Sequence, residues 1–274
     1  MQISDPISKH TGDAADVLPF EVKLEYRNTI PTALAYNLSL NYTFPSTLVF
    51  NTSSVFACIY GGGTFSSYSN AACLAAHGTL PVIYIETDTV QFFFDVLPSS
   101  QIFFARMEAV IIQDVQPEQQ LVNLIQYSFD SSPLADPFSG RQYFYNSTQT
   151  TTVIAPNISI AVIEVSDANV PLPKMTIQET FWFILNITMP EVQTDTYMRV
   201  VIPPNFYLLG ANITYIGQNI VNSSVYVNQP LNQNSSFAFD IATGILSINY
   251  GLITNIADNV VNASDFLQVH WSEQ

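Results

Sequence analysis

Residues 35–50 read AYNLSLNYTFPSTLVF, and up to Pro45 apolar and polar side chains alternate with a period of two. That period is the signature of a strand with one buried face, and the proline marks where it must stop. The pattern returns at residues 196–209, TYMRVVIPPNFYLL. Both copies carry an early aromatic residue (Tyr36, Tyr197) and an apolar-Pro-x-x-apolar corner, Phe44-Pro45-x-x-Leu48 in one and Ile202-Pro203-x-x-Phe206 in the other. Another period-two segment precedes each copy, PFEVKLEYRN from Pro19 and TFWFILNITMP from Thr180, joined to it by a short polar link. Strand, link, strand, corner and strand therefore occur twice, and an internal repeat of this size predicts two all-β modules in tandem.

Around these anchors the first module is expected to span 17–165, with strands near 20–27, 35–43, 55–60, 81–86, 90–97, 102–114, 120–129 and 152–165. Proline and glycine turns punctuate them, and no stretch holds a helical period, although the alanine patch at 70–76 allows one helical turn. Short, regularly spaced strands of this kind point to an immunoglobulin-like sandwich. Residues 166–174, SDANVPLPK, have the composition of a stiff linker. The second module is expected over 175–274, with strands at 176–189, 197–202, 206–216, 236–239, 245–252 and 265–271. Residues 1–16 alternate only weakly (Ile3, Pro6, Ile7) and read as an N-terminal arm.

Composition changes this picture in three ways. The chain of 274 residues is 48% hydrophobic and 13% aromatic, which suits two packed cores and excludes disorder. With Lys+Arg 7 against Asp+Glu 22 the formal net charge is -15, so neither nucleic acid nor an anionic membrane is an expected partner. Only 11% of residues are charged while the mean hydropathy is +0.22, so something else must keep the surface soluble.

Asparagine-linked glycans are the expected answer. Ten asparagines begin an N-x-Ser/Thr triplet: Asn37, Asn41, Asn51, Asn146, Asn157, Asn186, Asn212, Asn222, Asn234 and Asn262. Composition alone would supply about four, and the excess points to a secreted or cell-surface protein. The competing explanation is that Asn, Ser and Thr are simply abundant on polar strand faces. Asn186 sits inside an apolar strand, so a glycan there must point outward. No run reaches the ~18 apolar residues of a membrane-spanning helix. The first residues lack a basic region followed by an apolar one, so a signal peptide is expected to have been removed or to lie outside this numbering. Cys58 and Cys73 are expected to form one disulfide closing the loop that holds Gly61, Gly62 and Gly63, with two buried thiols as the alternative.

No catalytic constellation stands out. His10, His77 and His270 lie far apart in sequence and in no metal-binding motif, and the three glycines lack the lysine and helix of a phosphate loop. No cofactor or metal is expected. The pairs Glu86 with Asp88 and Asp13 with Asp16 are too few oxygens for calcium. A Lys-to-Asn crosslink would require Lys23 or Lys174 beside an asparagine and an acid. The aromatic runs at 92–94, 103–104 and 181–183 are read as core and subunit contacts ahead of a sugar-stacking surface.

These residues resemble the conserved-repeat family of Ig-like modules strung along large surface proteins of bacteria and some protists. The two proline corners carry the likeness, with Val115-Gln116-Pro117-Glu118, residues 121–123 and Tyr127-Ser128 before Pro133 fitting the tail of such a module. The resemblance implies passive links in arrays or fibres with no catalytic residues, hence no enzyme. In the second module nothing corresponds to residues 110–129 of the first. A sandwich short of strands exposes an unpaired edge. The expectation is that a strand of a neighbouring identical subunit, drawn from Gln2, Ile3, Ser4, Asp5, Pro6, Ile7, Ser8, Lys9 and His10, enters a groove lined by Phe183, Leu185, Leu252, Phe266, Val269 and Trp271. The product would be an extracellular, pilus-like homopolymer. The alternatives are an adhesin or carbohydrate-binding module, and a piece of a longer repeat protein.

Overall fold

A computed structural model describes residues 2–4, 10–25, 34–62, 65, 67–133, 141–166, 172, 179–258 and 260–274. Two compact units emerge: 1–12, 16–112 and 119–153 form the first, and 13–15, 113–118 and 154–274 form the second.

Among the described residues the first unit is a sandwich of ten strands. They are β1 (Gln2–Ser4), β2 (His10–Gly12), β3 (Val17–Glu25), β4 (Leu34–Thr43), β5 (Leu48–Tyr60), β6 (Val82–Ile85), β7 (Thr89–Pro98), β8 (Ile102–Ile111), β9 (Gln120–Asp130) and β10 (Gln142–Val153). One sheet has the order β1-β3-β8-β5, the other β2-β10-β9-β4-β7-β6. Inward residues of each strand meet between them. Phe20 on β3 packs its ring 6.3 Å from Tyr42 and 5.4 Å from Phe44, and Phe92 on β7 lies 5.3 Å from Phe103 on β8. The Tyr42 hydroxyl donates to Gln149 Oε1, and Gln149 Nε2 donates to the Glu21 carbonyl at 3.4 Å, so β10 lies across the sandwich from β3. The helical turn expected at the alanine patch is α1 (Asn70–Ala75), capped by the Ser69 hydroxyl, which accepts from the Ala72 amide at 3.2 Å.

The second unit contains β11 (Asn157–Val165), β12 (Phe181–Thr188), β13 (Gln193–Val201), β14 (Leu208–Ile216), β15 (Ile220–Val221), β16 (Phe237–Asp240), β17 (Ile245–Asn255) and β18 (Phe266–Glu273). Its sheets run β11-β12-β18-β14 and β13-β17-β15, with β16 also paired to β17. The core is built from Leu185, Ile187, Ile213, Phe237, Leu246, Ile248, Tyr250, Val269 and their neighbours.

The repeat read from the sequence is a repeat of topology. In each unit a central strand, β8 or β18, lies between the strands that flank the corner unit, β3 and β5 or β12 and β14. Each corner closes with the same turn bond, Leu48 N–H to the Pro45 carbonyl at 2.9 Å and Phe206 N–H to the Pro203 carbonyl at 3.1 Å. Thus β12, β13, β14, β17 and β18 stand for β3, β4, β5, β7 and β8. The protein is all-β, with two tandem Ig-like sandwiches.

Two boundaries differ from the sequence reading. The single strand expected at 152–165 is the end of β10 and the whole of β11, interrupted at residues 154–156. β10 was missed because QYFYNSTQTTTV has almost no apolar alternation, only Gln149, Thr151 and Val153 being buried. And β11 belongs to the second unit, not the first: it pairs with β12 from Asn157↔Thr188 to Val165↔Phe181. The Ser166 amide extends that ladder to the Thr180 carbonyl at 2.9 Å, so the expected linker begins inside the second unit. Residues 167–171, 173 and 174 of that linker lie outside the described residues.

Candidate functional site

The donor strand and the groove expected from the sequence both concern strand edges. Gln2–Ser4, expected as a free arm, pairs antiparallel with β3 (Gln2↔Glu25, Ile3↔Leu24, Ser4↔Lys23). His10–Gly12 pairs parallel with β10 (Thr151↔His10, Val153↔Gly12). The arm's described ends therefore sit on their own chain, because β3 and β10 would otherwise leave unpaired amides at the ends of both sheets of the first unit. Asp5, Pro6, Ile7, Ser8 and Lys9 lie outside the described residues.

The groove named from the sequence is not an opening. Phe183 and Leu185 are on β12, and Phe266, Val269 and Trp271 are on β18, two strands that pair with each other and each have a further neighbour, β11 or β14. Leu185, Val269 and Trp271 are buried, and Phe183 stacks on Trp271 with ring centres 5.2 Å apart. Leu252, on β17, is 54% exposed. Leu185, Val269 and Trp271 are core, and β11, assigned from sequence to the first module, gives β12 its second neighbour.

The opening lies one layer away. In the first unit β4 pairs with β7 on one side and β9 on the other, and its inward residues Leu38, Leu40 and Tyr42 are buried. Its counterpart β13 pairs with β17, and among the described residues no strand takes its second edge. Its inward residues Met198 and Val200 pack on the core yet are only half-buried. Opposite, β11 shows the same lack. Ile158 and Ile160 pair with Ile187 and Leu185 and so point to the same face. The β12 residues are 5% and 3% exposed, but Ile158 and Ile160 are each 61% exposed. In the first unit the space beneath this position is filled by β9 and β10. The second sandwich is therefore open along one flank, between the edge of β13 and the inner face of β11. Which edge is bare is not written in the sequence of either module.

The remaining expected sites are placed as follows. Cys58 and Cys73 are joined, with Cα atoms 5.7 Å apart, and the closed loop is pinned to the outside of the first sandwich by a small aromatic cluster. Phe65 packs 5.2 Å from Phe56 and 4.6 Å from Tyr60, Tyr68 stacks on Phe104, and Arg106 lies 4.4 Å over the Tyr68 ring while bonding Glu21 at 2.8 Å. All ten sequon asparagines are at least partly accessible, and six of them are exposed. Three lie on strands at the margin of their sheets, Asn51 on β5, Asn157 on β11 and Asn212 on β14, and Asn146 lies on β10 away from the three residues that β2 covers. Asn186 faces away from Leu185 and Ile187 and accepts from Gln268 Nε2 at 2.9 Å, so its side chain is on the outer face.

Among the described residues no group of three or more His, Cys, Asp or Glu could hold a metal ion. Lys23 pairs with Glu25 at 2.5 Å, and Lys174 lies outside the described residues. Most of the aromatic runs are core: Phe92, Phe94, Phe103, Phe104 and Phe181 are buried.

One carboxyl, that of Glu273, is shifted upward. Burial holds Glu273 above its ordinary value of 4.5, against the opposing hydrogen bond that Trp271 Nε1 donates to it at 2.6 Å. A raised carboxyl binds its proton more tightly in the folded state, so its contribution is full below about 4.5 and is lost as pH rises through the folded value. Glu273→Gln should flatten this part of the pH profile, so that the urea midpoint of the second unit falls less between pH ~4.5 and neutrality. Parallel profiles for the two proteins would show that Glu273 is not responsible.

The fold and the exposed edges define an all-β, two-module protein of Ig-like sandwiches. Solved structures similar to it include ACE19, the collagen-binding subdomain of the Enterococcus faecalis surface protein ACE, at 15% identity and TM-score 0.35 over 53% of this chain and 93% of that one. BcpA, the major pilin subunit of Bacillus cereus, is 11% identical with TM-score 0.39 over 71% of this chain and 60% of that one. Domains D2 and D3 of the major pilin SpaD of Corynebacterium diphtheriae are 9% identical with TM-score 0.37, over 59% and 54%. These are likenesses of fold. No protein-family model and no curated protein matches the sequence.

Proposed function

We propose that the chain is a structural subunit of an extracellular, N-glycosylated, pilus-like filament built from identical copies by strand exchange. The observation that carries this reading is the seating of the N-terminal segment. Its described residues are held by two ladders of three residues each, one on either sheet of the first unit. Such short edge ladders can be remade on the next copy without loss: Gln2–Ser4 of one subunit on β3 of another, His10–Gly12 on its β10. Exchange of this kind is heterologous and does not close, so it propagates. The ten sequons suit export, and their sugars would keep a sparsely charged surface soluble.

Deleting residues 1–9 should abolish filaments in negative-stain images of the purified protein while leaving folded subunits. Filaments of unchanged length after the deletion would sink the reading. A second reading, an adhesin or carbohydrate-binding module, is favoured by an aromatic ladder between β9 and β10. Tyr145 stacks 5.0 Å from Tyr127 and 6.2 Å from Phe129, Tyr143 lies 4.9 Å from Phe129, and Tyr145 is 40% exposed. Binding of the deleted, monomeric protein to a glycan array would support it.

A further inference from the structure

We infer that the open flank of the second unit is closed by the same flank of a second copy, the two interlocking as a half-lap joint in which each β11 pairs with the other copy's β13. The filament reading is not needed for this; the joint uses only the second unit.

The shape of the flank sets the geometry. The sheet that ends in β11 overhangs the edge of β13, leaving uncovered space beneath Ile158 and Ile160 and beside β13. A twofold axis parallel to the strands exchanges the two layers and fits one overhang into the other's gap. The uncovered Ile158 and Ile160 of the two copies then face each other across the new core. Such an axis preserves strand direction. β11 is antiparallel to β12, and the chain reverses between β12 and β13 through residues 189–192, so β11 and β13 run the same way. Each β11 must therefore meet the other copy's β13 in parallel.

The side chains select the same arrangement. Both strands have nine residues. At the head of β13 the Gln193 amide and carbonyl are taken by Gln113 and Gln116, so the free edge begins at Thr194. Setting Ile158 beside Thr194 in parallel register brings Ile160 to Thr196 and Val162 to Met198 on the inner face. On the outer face Ser159 meets Asp195 and the small Ala161 meets the large Tyr197. β11 has one irregularity, a bulge between Val162 and Glu164. That extra residue shifts the parity by one, so that Glu164 falls beside Arg199 on the outside and Val165 beside Val200 on the inside. The opposite, antiparallel pairing over the full length would set Glu164 against Asp195. Glu164, Asp195 and Arg199 are exposed, and among the described residues none has an ion-pair partner. No sequon lies on β13, and the one on β11, Asn157, precedes the paired stretch. An edge of this kind, long and apolar at its end, otherwise invites indiscriminate pairing.

Sedimentation of the full chain tests the joint. The expected result is a dimer that E164R or R199E alone weakens at least tenfold and that E164R/R199E together restore. As a second reading of register, A161C/Y197C should crosslink two copies on a non-reducing gel. A monomer at every concentration, or a dimer indifferent to both single reversals, would overturn the inference. Deleting residues 1–9 leaves this dimer intact, so failure of the filament reading and failure of the joint are seen in different samples.

Discussion

Gly217→Ala is expected to destabilise the second unit by more than about 2 kcal/mol. Gly217 follows β14 directly, and a Cβ there would lie 1.9 Å from the Ser264 carbonyl oxygen, 2.3 Å from the Ser264 carbonyl carbon and 3.0 Å from the Asp265 nitrogen. These are backbone atoms, so relief requires the 263–265 turn to move. That turn is tied on every side. The Asn262 side chain accepts from the Ser264 amide at 2.7 Å, and the Asp265 carboxylate accepts from the Asn262 amide at 2.8 Å, a capping box. The Gly217 amide donates to Phe266 at 2.8 Å, Asn219 to Ser264 at 3.1 Å and Met189 to Asp265 at 2.9 Å. Shifting the turn breaks several of these at once. Both tryptophans, Trp182 and Trp271, belong to the second unit, so the urea midpoint of tryptophan fluorescence reads it directly. An unchanged midpoint would mean that the turn yields at no cost.

Removing the disulfide should cost about 3 kcal/mol through loop entropy alone. Cys58 and Cys73 are both fully buried and form a satellite core with Phe56, Tyr60 and Phe104, apart from the main sandwich. That cluster is too small to hold the loop by itself, so C58A/C73A should free α1 and the bridge between Ile59 and Thr79, whose two amide bonds measure 2.9 and 2.7 Å. Hydrogen exchange at Ile59 and Thr79 would measure this, and protection equal to the parent's would refute it. Gly78 offers a companion test. A Cβ there would lie 2.5 Å from Cys58 Sγ and 2.8 Å from Cys73 Sγ, so G78A should be severe in the parent and milder once the sulfurs are gone.

The legibility of these features follows from their range in sequence. The disulfide, the capped turn at the alanine patch and the two proline corners involve residues close together in the chain, and each was readable. β10 was not, because it buries only Gln149, Thr151 and Val153, all at one end, and a polar, threonine-rich segment then carries no period. The arm and the groove failed differently. Both depend on which strands become neighbours, and no strand names its neighbours in its own residues.

The sequence by itself determined the strand, link, strand and corner unit and its two copies, because side-chain alternation and a proline corner are local properties of the backbone. The tertiary structure alone decided that β11 joins β12, that residues 2–4 and 10–12 rest on β3 and β10, and that the bare edge belongs to β13. Every strand offers the same amides and carbonyls on both sides, so the sequence of one strand does not name its neighbours. The choice is made by which faces can be covered together, and that is a property of the packed sheets.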